Sequence, residues 1–173
     1  ENSLEQSAKT GKPDWRVPVD EESNGFEVDV AGRIAPNWSV VANYAYTDAR
    51  IIKLKEEGAL KDLNMQRPST PRHAANFWTK YIIQKGALEG LGLGVGVNYV
   101  SERLGQVGRR ATAATYPEYT LVNAVLYYKV KDVQFQVNVN NVLNRTYWIS
   151  GYDNLRNFPG ATRNVSATVT YNI

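Results

Sequence analysis

From Gly25 to Ala35 the apolar residues Phe26, Val28, Val30 and Ile34 alternate with Glu27, Asp29, Ala31 and Arg33, the period of a strand with one polar face. After Pro36-Asn37 the alternation resumes, with Trp38, Val40, Ala42, Tyr44 and Tyr46 on one face and Ser39, Asn43 and Thr47 on the other. A third strand is predicted from about Ala75 to Gln84, and a fourth from Leu91 to Glu102, where Leu91, Leu93, Val95, Val97 and Tyr99 oppose Gly92, Gly94, Gly96 and Asn98. Three glycines on one face leave room for something to approach closely. Tyr119 to Val130 sets Val122, Ala124, Leu126, Tyr128 and Val130 against Tyr119, Asn123, Tyr127 and Lys129. After Lys131-Asp132, Val133, Phe135, Val137 and Val139 alternate with Gln134, Gln136, Asn138 and Asn140. The last strand, ending at Ile173, has Val165, Ala167, Val169 and Tyr171 on one face and Asn164, Ser166, Thr168, Thr170 and Asn172 on the other.

The connections alternate. Those at Pro36-Asn37, Lys85 to Gly90 and Lys131-Asp132 are short, and those between them are long, polar and rich in Gly or Pro. A soluble sandwich has no need of this alternation, whereas an outer-membrane barrel has short periplasmic turns and long extracellular loops. Residues 1–24 are then one more extracellular loop, and 25–173 are barrel strands. A lysine near the middle of a lipid face costs about 2–4 kcal/mol. Lys80 therefore points inward, with Asn76, Trp78 and Gln84, and Phe77, Tyr81 and Ile83 point out. Trp38 and Tyr46, at opposite ends of one outward face, suit the two membrane interfaces. Tyr44, Tyr81, Tyr99, Tyr128 and Tyr171 are further interface aromatics. The fold class is all-β, an antiparallel transmembrane β-barrel, here an open segment. About seven strands cannot close, because single-chain bacterial barrels use an even number, so earlier strands are expected in the parent protein unless another chain supplies them.

Composition agrees. Eleven Tyr, 4 Trp and 4 Phe make the apolar fraction unusually aromatic, which favours sheets. No apolar run approaches the roughly 20 residues of a membrane helix, and a mean hydropathy of −0.43 is compatible with a barrel, whose hydrophobicity lies in alternation. The net charge of +3 comes from 20 basic and 17 acidic residues without a like-charged block, so no nucleic-acid partner is indicated. The absence of Cys removes disulfides, thiolate metal sites and cysteine nucleophiles. Glu-Asn-Ser-Leu-Glu-Gln has no signal-peptide character, so the chain is expected to be processed or truncated.

Several stretches carry a resemblance. Val137-Asn-Val-Asn-Asn-Val-Leu-Asn-Arg-Thr-Tyr147 and Pro159-Gly-Ala-Thr-Arg163 with the final strand resemble the C-terminal end of TonB-dependent receptors. Ala42-Asn-Tyr-Ala-Tyr-Thr-Asp48, Pro71-Arg-His-Ala-Ala75 and Tyr99-Val-Ser-Glu-Arg103 are similar to ferrichrome-type siderophore receptors. The resemblance covers about Gly25 to Ile173. It implies a barrel of about 22 strands in the bacterial outer membrane, surrounded by lipid and lipopolysaccharide and occluded by a plug domain that this chain lacks. Its function would be to import a ferric siderophore with energy from the TonB complex. The chain departs from the family pattern in ending on Ile173 where Phe is usual, which implies weaker recognition by the assembly machinery.

No catalytic constellation is present, and no cofactor or metal site is expected of the chain. The only histidine, His73, has a rim or structural role. Glu27, Asp29 and Arg33 are lumen charges, or an acid/base pair with a cation. Asp20, Glu21 and Glu22 are a solvated loop, or a calcium or lipopolysaccharide-bridging cluster. The ligand-binding candidates are the loop aromatics Tyr116, Tyr147, Trp148, Tyr152 and Phe158 with the inward, upper-end Trp78 and Tyr119, since a bulky ferric hydroxamate suits an aromatic pocket. Arg109 and Arg110 would assist an anionic chelate. Packing of these aromatics to order the loops is the structural alternative. A passive pore, an adhesin barrel and a soluble all-β binding module are the rival functions.

Overall fold

The computed structural model describes residues 2–6, 16–56, 59–105, 114–151 and 156–171, and every element in these residues is a strand. In chain order they are β1 (Asn2–Gln6), β2 (Arg16–Ala35), β3 (Trp38–Glu56), β4 (Ala59–Gln66), β5 (His73–Ile82), β6 (Leu91–Val100), β7 (Arg103–Leu104) and β8 (Thr115–Tyr116). They continue with β9 (Tyr119–Val130), β10 (Val133–Asn140), β11 (Trp148–Gly151), β12 (Asn157–Pro159) and β13 (Asn164–Tyr171). One antiparallel sheet runs in the order β1-β2-β3-β5-β6-β9-β10-β13, with β4 also on β3. The seven strands predicted from alternation are its consecutive members, and Asn172 and Ile173 lie outside the described residues.

Where the structure adds strand, the sequence lacks an apolar period. The expected outer loop of residues 1–24 contains β1 and the start of β2. Backbone pairing continues from Asn24↔Asp48 up to Val19↔Leu54, with a bulge between Asp20 and Glu21. β4 pairs back onto the same extension of β3. Asp20-Glu-Glu-Ser-Asn24 has polar residues at both parities, so the hairpin continues upward on backbone hydrogen bonds, the burial of Ala49 and Ile51 opposite on β3 and the Glu21–Arg67 ion pair. At the other end the connections are tight. The turn between β5 and β6 ends on Gly90, whose φ of 85° places a hypothetical Cβ 2.5 Å from the Lys129 carbonyl oxygen, so only glycine fits.

The apolar face is uncovered. Phe26, Val28, Val30, Ile34, Phe77, Leu93, Leu126, Phe135, Val137, Val165 and Val169 are 38–65% exposed, while the buried hydrophobic residues among those described are only Ala49, Ile51, Tyr116 and Val125. A sandwich would bury this face against a second sheet. An apolar surface this continuous is a membrane contact. Spin labels at Leu126 and Val137 are therefore expected to be more accessible to oxygen than to a polar quencher, and labels at Asn138 and Thr168 the reverse. Equal behaviour of the two pairs would refute the face assignment.

The inner face has its own packing. Lys80 lies inward, its Nζ 4.1 Å from the Tyr127 ring centroid. The space over the glycines of β6 is taken by Trp78, whose ring lies against Gly94 and Gly96. Trp78 stands opposite Val41 and Gly96, at mid-height and not at the upper end where sequence reasoning put it. The single-residue alternation fixed its face, but the strand's true start at His73 sets its depth.

Candidate ligand site at the loop end of the sheet

The two stretches that close the long loop after β10 hold each other. Asn141 and Asn144 both have φ of 50°, a left-handed conformation that Asn tolerates better than most residues. The buried Asn141 side chain donates from Nδ2 to the carbonyls of Arg145 (2.8 Å) and Ala161 (3.1 Å), and its Oδ1 accepts from the Arg145 N–H at 2.8 Å. Asn144 Oδ1 accepts from the Arg163 N–H at 2.9 Å. The Gly160 N–H donates to the Tyr147 carbonyl, and the Tyr147 ring fills the space beside Gly160 that a side chain would need. Asn-Asn-Val-Leu-Asn-Arg and Pro-Gly-Ala-Thr-Arg are thus two halves of one clasp.

The clasp is tied to the wall. The Asn141 N–H donates to Asn123 Oδ1 at 2.9 Å. Asn123 Nδ2 then donates to Asn98, Asn98 to Asn76, and Asn76 to Asn43. This amide row crosses four strands on the inner face. Asn123, Asn98 and Asn76 each spend one donor and one acceptor in the row and Asn43 ends it as an acceptor, which satisfies polar groups without fixed charge.

Above the sheet, Arg103, Tyr116, Tyr119 and Tyr147 form a cluster. Arg103 is 3% exposed, and its Nη2 donates to the carbonyls of Trp148 and Ile149. Its Cζ lies 5.5 Å from the Tyr116 ring centroid and 5.6 Å from that of Tyr119. Tyr119 and Tyr147 are 4.6 Å apart, centroid to centroid. The Tyr116 hydroxyl donates to Asn157 Oδ1 at 2.6 Å, joining β8 to β12. Of the predicted ligand residues the structure therefore brings together Tyr116, Tyr119 and Tyr147, with Trp148 adjacent through its backbone. Trp148 and Phe158 lie on β11 and β12 with their side chains 37% and 54% exposed, and Trp78 is apart, lower on the wall. Tyr152, Arg109 and Arg110 lie outside the described residues. Sequence reasoning missed Arg103, Asn141 and Asn144 as organising residues. The signal available was the pair of asparagines in a loop root, positions where φ above zero favours Asn.

The other candidates separate. Asp20, Glu21 and Glu22 do not converge: the bulge turns Glu21 to Arg67, with Arg67 Nε 3.2 Å from Oε2, and Glu22 to Asn24. Among the described residues no group of three or more His, Cys, Asp or Glu could hold a metal ion. Glu21 and Glu22 instead line an open groove of about 610 Å³ with Ser23, Thr47, Ala49, Arg67 and Thr70. Nearby, Arg50 Nε donates to both oxygens of Asp48 at 3.0 Å, and this bond holds the Asp48 carboxyl below the usual carboxylate range. His73 joins Tyr44 by a 2.8 Å hydrogen bond to Nδ1 and packs on Tyr46 and, through Tyr44 and Tyr46, beside Phe26, a structural role. Glu27, Asp29 and Arg33 share the inner face of β2 without an ion pair among the described residues.

A family model described as TonB dependent receptor-like, beta-barrel, matches residues 11–142. The chain belongs to this family. It is a segment of a bacterial outer-membrane barrel. The receptor chain is 30% identical to the metal-pseudopaline receptor CntO of Pseudomonas aeruginosa over 96% of its own length and 23% of that protein's. It is 30% identical to the ferrioxamine B receptor of Salmonella typhimurium over 87% of itself and 21% of the relative. Among solved structures, the siderophore receptor PiuA of Acinetobacter baumannii superposes with a TM-score of 0.71 at 27% identity, covering 87% of the receptor chain and 22% of PiuA. The receptor chain thus spans less than a quarter of the length of these relatives.

Proposed function

We propose that this chain is the C-terminal barrel portion of a TonB-dependent receptor that imports a ferric siderophore, its uptake driven by the TonB complex through a plug domain carried elsewhere in the receptor. The observation that carries this reading is the aromatic cluster at the loop end of a lipid-facing sheet, where Tyr116 and Tyr119 flank buried Arg103, Tyr147 packs on Tyr119, and the Trp148 backbone accepts from the arginine. The relative named for ferrioxamine B supports the substrate class. β13 pairs with β10 alone among the described residues, and an open edge in hydrocarbon leaves backbone groups unsatisfied at several kcal/mol each. Further strands of the same barrel would cover that edge. Trp38, Tyr81, Tyr128 and Tyr171 at the turn end and Tyr44, Tyr46 and Tyr99 at the loop end would form the two interfacial belts, with lipopolysaccharide outside the upper one. Trp38 to Tyr46 is about 26 Å along the strand at about 3.3 Å per residue, which at a tilt of about 35–45° rises about 19–22 Å, most of the height of a barrel's apolar band of about 25 Å.

The test is substitution in the receptor that carries this chain. Tyr147→Ala and Trp148→Ala are expected to weaken binding of a ferric siderophore tenfold or more at unchanged outer-membrane abundance, tenfold being about 1.4 kcal/mol. The probes are ferrioxamine B and a ferric tris-catecholate. Wild-type receptor that binds no member of a panel of ferric hydroxamates, catecholates and carboxylates would overturn the substrate class. Unchanged affinity in both variants would remove this loop from the site.

A further inference from the structure

Arg103 opens β7 at the loop end of β6 and is 3% exposed, yet no carboxylate lies within ion-pair distance among the described residues. Its Nη1 is buried without a hydrogen-bond partner. A buried guanidinium without a counter-charge is costly. What offsets that cost here is two carbonyl acceptors on β11 and the faces of two tyrosines, one on β8 and one on β9. Nη2 alone donates to both carbonyls while the guanidinium lies over the two rings, and a planar guanidinium suits this combination of donation and stacking. A hydrophobic residue would fill the space at lower cost but would bind neither carbonyl. The contacts of this one side chain span both outer loops: β7 and β8 belong to the first, β11 to the second.

We propose that Arg103 is a positioning residue that clamps the two outer loops into one wall, fixing Tyr116, Tyr119, Tyr147 and Trp148 relative to one another. That these aromatics touch the ligand rests on the function proposed above; the clamp itself does not. Tyr116 reinforces it, since its ring is buried against Gly105 and Gly151 and its hydroxyl reaches Asn157 of β12. Without the arginine, β11 keeps its pairing with β12 but loses its bonds to the β7–β8 loop.

The experiment measures the distance between spin labels at Glu102 and Ile149, both exposed and on opposite sides of the clamp, in the receptor that carries this chain. A second pair at Lys85 and Lys131, in the turns at the other end, reports on the barrel. The wild type is expected to give one narrow distance for each pair. Arg103→Gln is expected to at least double the width at 102/149 and leave 85/131 unchanged. Arg103→Lys, with charge but no fork, should fall between them. Ferrioxamine B or ferric tris-catecholate affinity, whichever the wild type binds, should drop tenfold or more in step with the width. An unchanged 102/149 width in both variants overturns the clamp, as does equal broadening of both pairs. If Arg103→Gln fails to reach the outer membrane, Arg103→Lys decides on the same criteria. Broadening at 102/149 with unchanged affinity keeps the clamp and removes the clustered loops from the ligand site.

Discussion

Gly96→Val is expected to lower the urea midpoint of the receptor clearly below that of the wild type, at a cost of about 1–3 kcal/mol. A hypothetical Cβ at Gly96 falls on the Trp78 ring, and one at Gly94 lies 2.8 Å from Trp78 Cζ2. Gly96 does not have a positive φ, so the backbone accepts any residue, and β propensity alone would favour valine by up to about 1 kcal/mol. The ring reverses the sign. Overpacking of this kind typically costs about 1–3 kcal/mol and occasionally more, and an indole lying flat across two strands has little room to yield, because Lys80 and Tyr127 occupy the next position down the inner face. The Trp78→Ala/Gly96→Val double variant should recover much of the lost stability. Urea midpoints in lipid vesicles for the four members of the cycle measure this directly. A Gly96→Val single variant as stable as the wild type would show that the ring does not rest on the glycines.

The same site shows what was legible beforehand and what was not. Strict alternation identifies which face each residue takes, and Lys80 alone orients a strand whose aromatic residues fall at both parities. Register follows, because a one-residue slip would invert every face. Depth does not follow from alternation, since a strand's period carries no origin, and Trp78 was therefore set too high. Nor did the glycines of β6 disclose what approaches them: the occupant is a side chain on the neighbouring strand. The upper hairpin of β2 and β3 was hidden for a related reason. Above the lipid the polar residues of β2 fall at both parities, although Ala49 and Ile51 opposite them on β3 are buried, and Asp20 to Asn24 look like loop while pairing as strand. In the candidate site the tyrosines stood out as aromatic residues in polar loops. Arg103 did not, because what singles it out is burial against Tyr116 and Tyr119 and the arrival of β11, whose carbonyl acceptors lie more than forty positions later.

Asn141→Ala is expected to destabilise the barrel by about 4–5 kcal/mol. Three side-chain hydrogen bonds disappear, leaving the Arg145 and Ala161 carbonyls and the Arg145 N–H to find water; Arg145 and Ala161 are exposed, so the loss per bond is nearer the net value of about 1 kcal/mol than the full desolvation penalty. Alanine at φ of 50° adds about 1–2 kcal/mol for the left-handed conformation. Asn141→Gly separates the two contributions, because glycine accepts the backbone but supplies no side chain, and should recover the second contribution only. Asn141→Asp keeps the acceptor for the Arg145 N–H but turns a carboxylate oxygen toward two carbonyl oxygens in a buried position, so at neutral pH it should fall below the glycine variant. Protonation would restore one donor and narrow that gap as the pH is lowered. Urea unfolding of the three variants at pH 7 and pH 5 distinguishes these contributions. If glycine proves no better than alanine, the backbone conformation at Asn141 contributes nothing, and if both match the wild type, the clasp between the two loop roots does not stabilise the barrel.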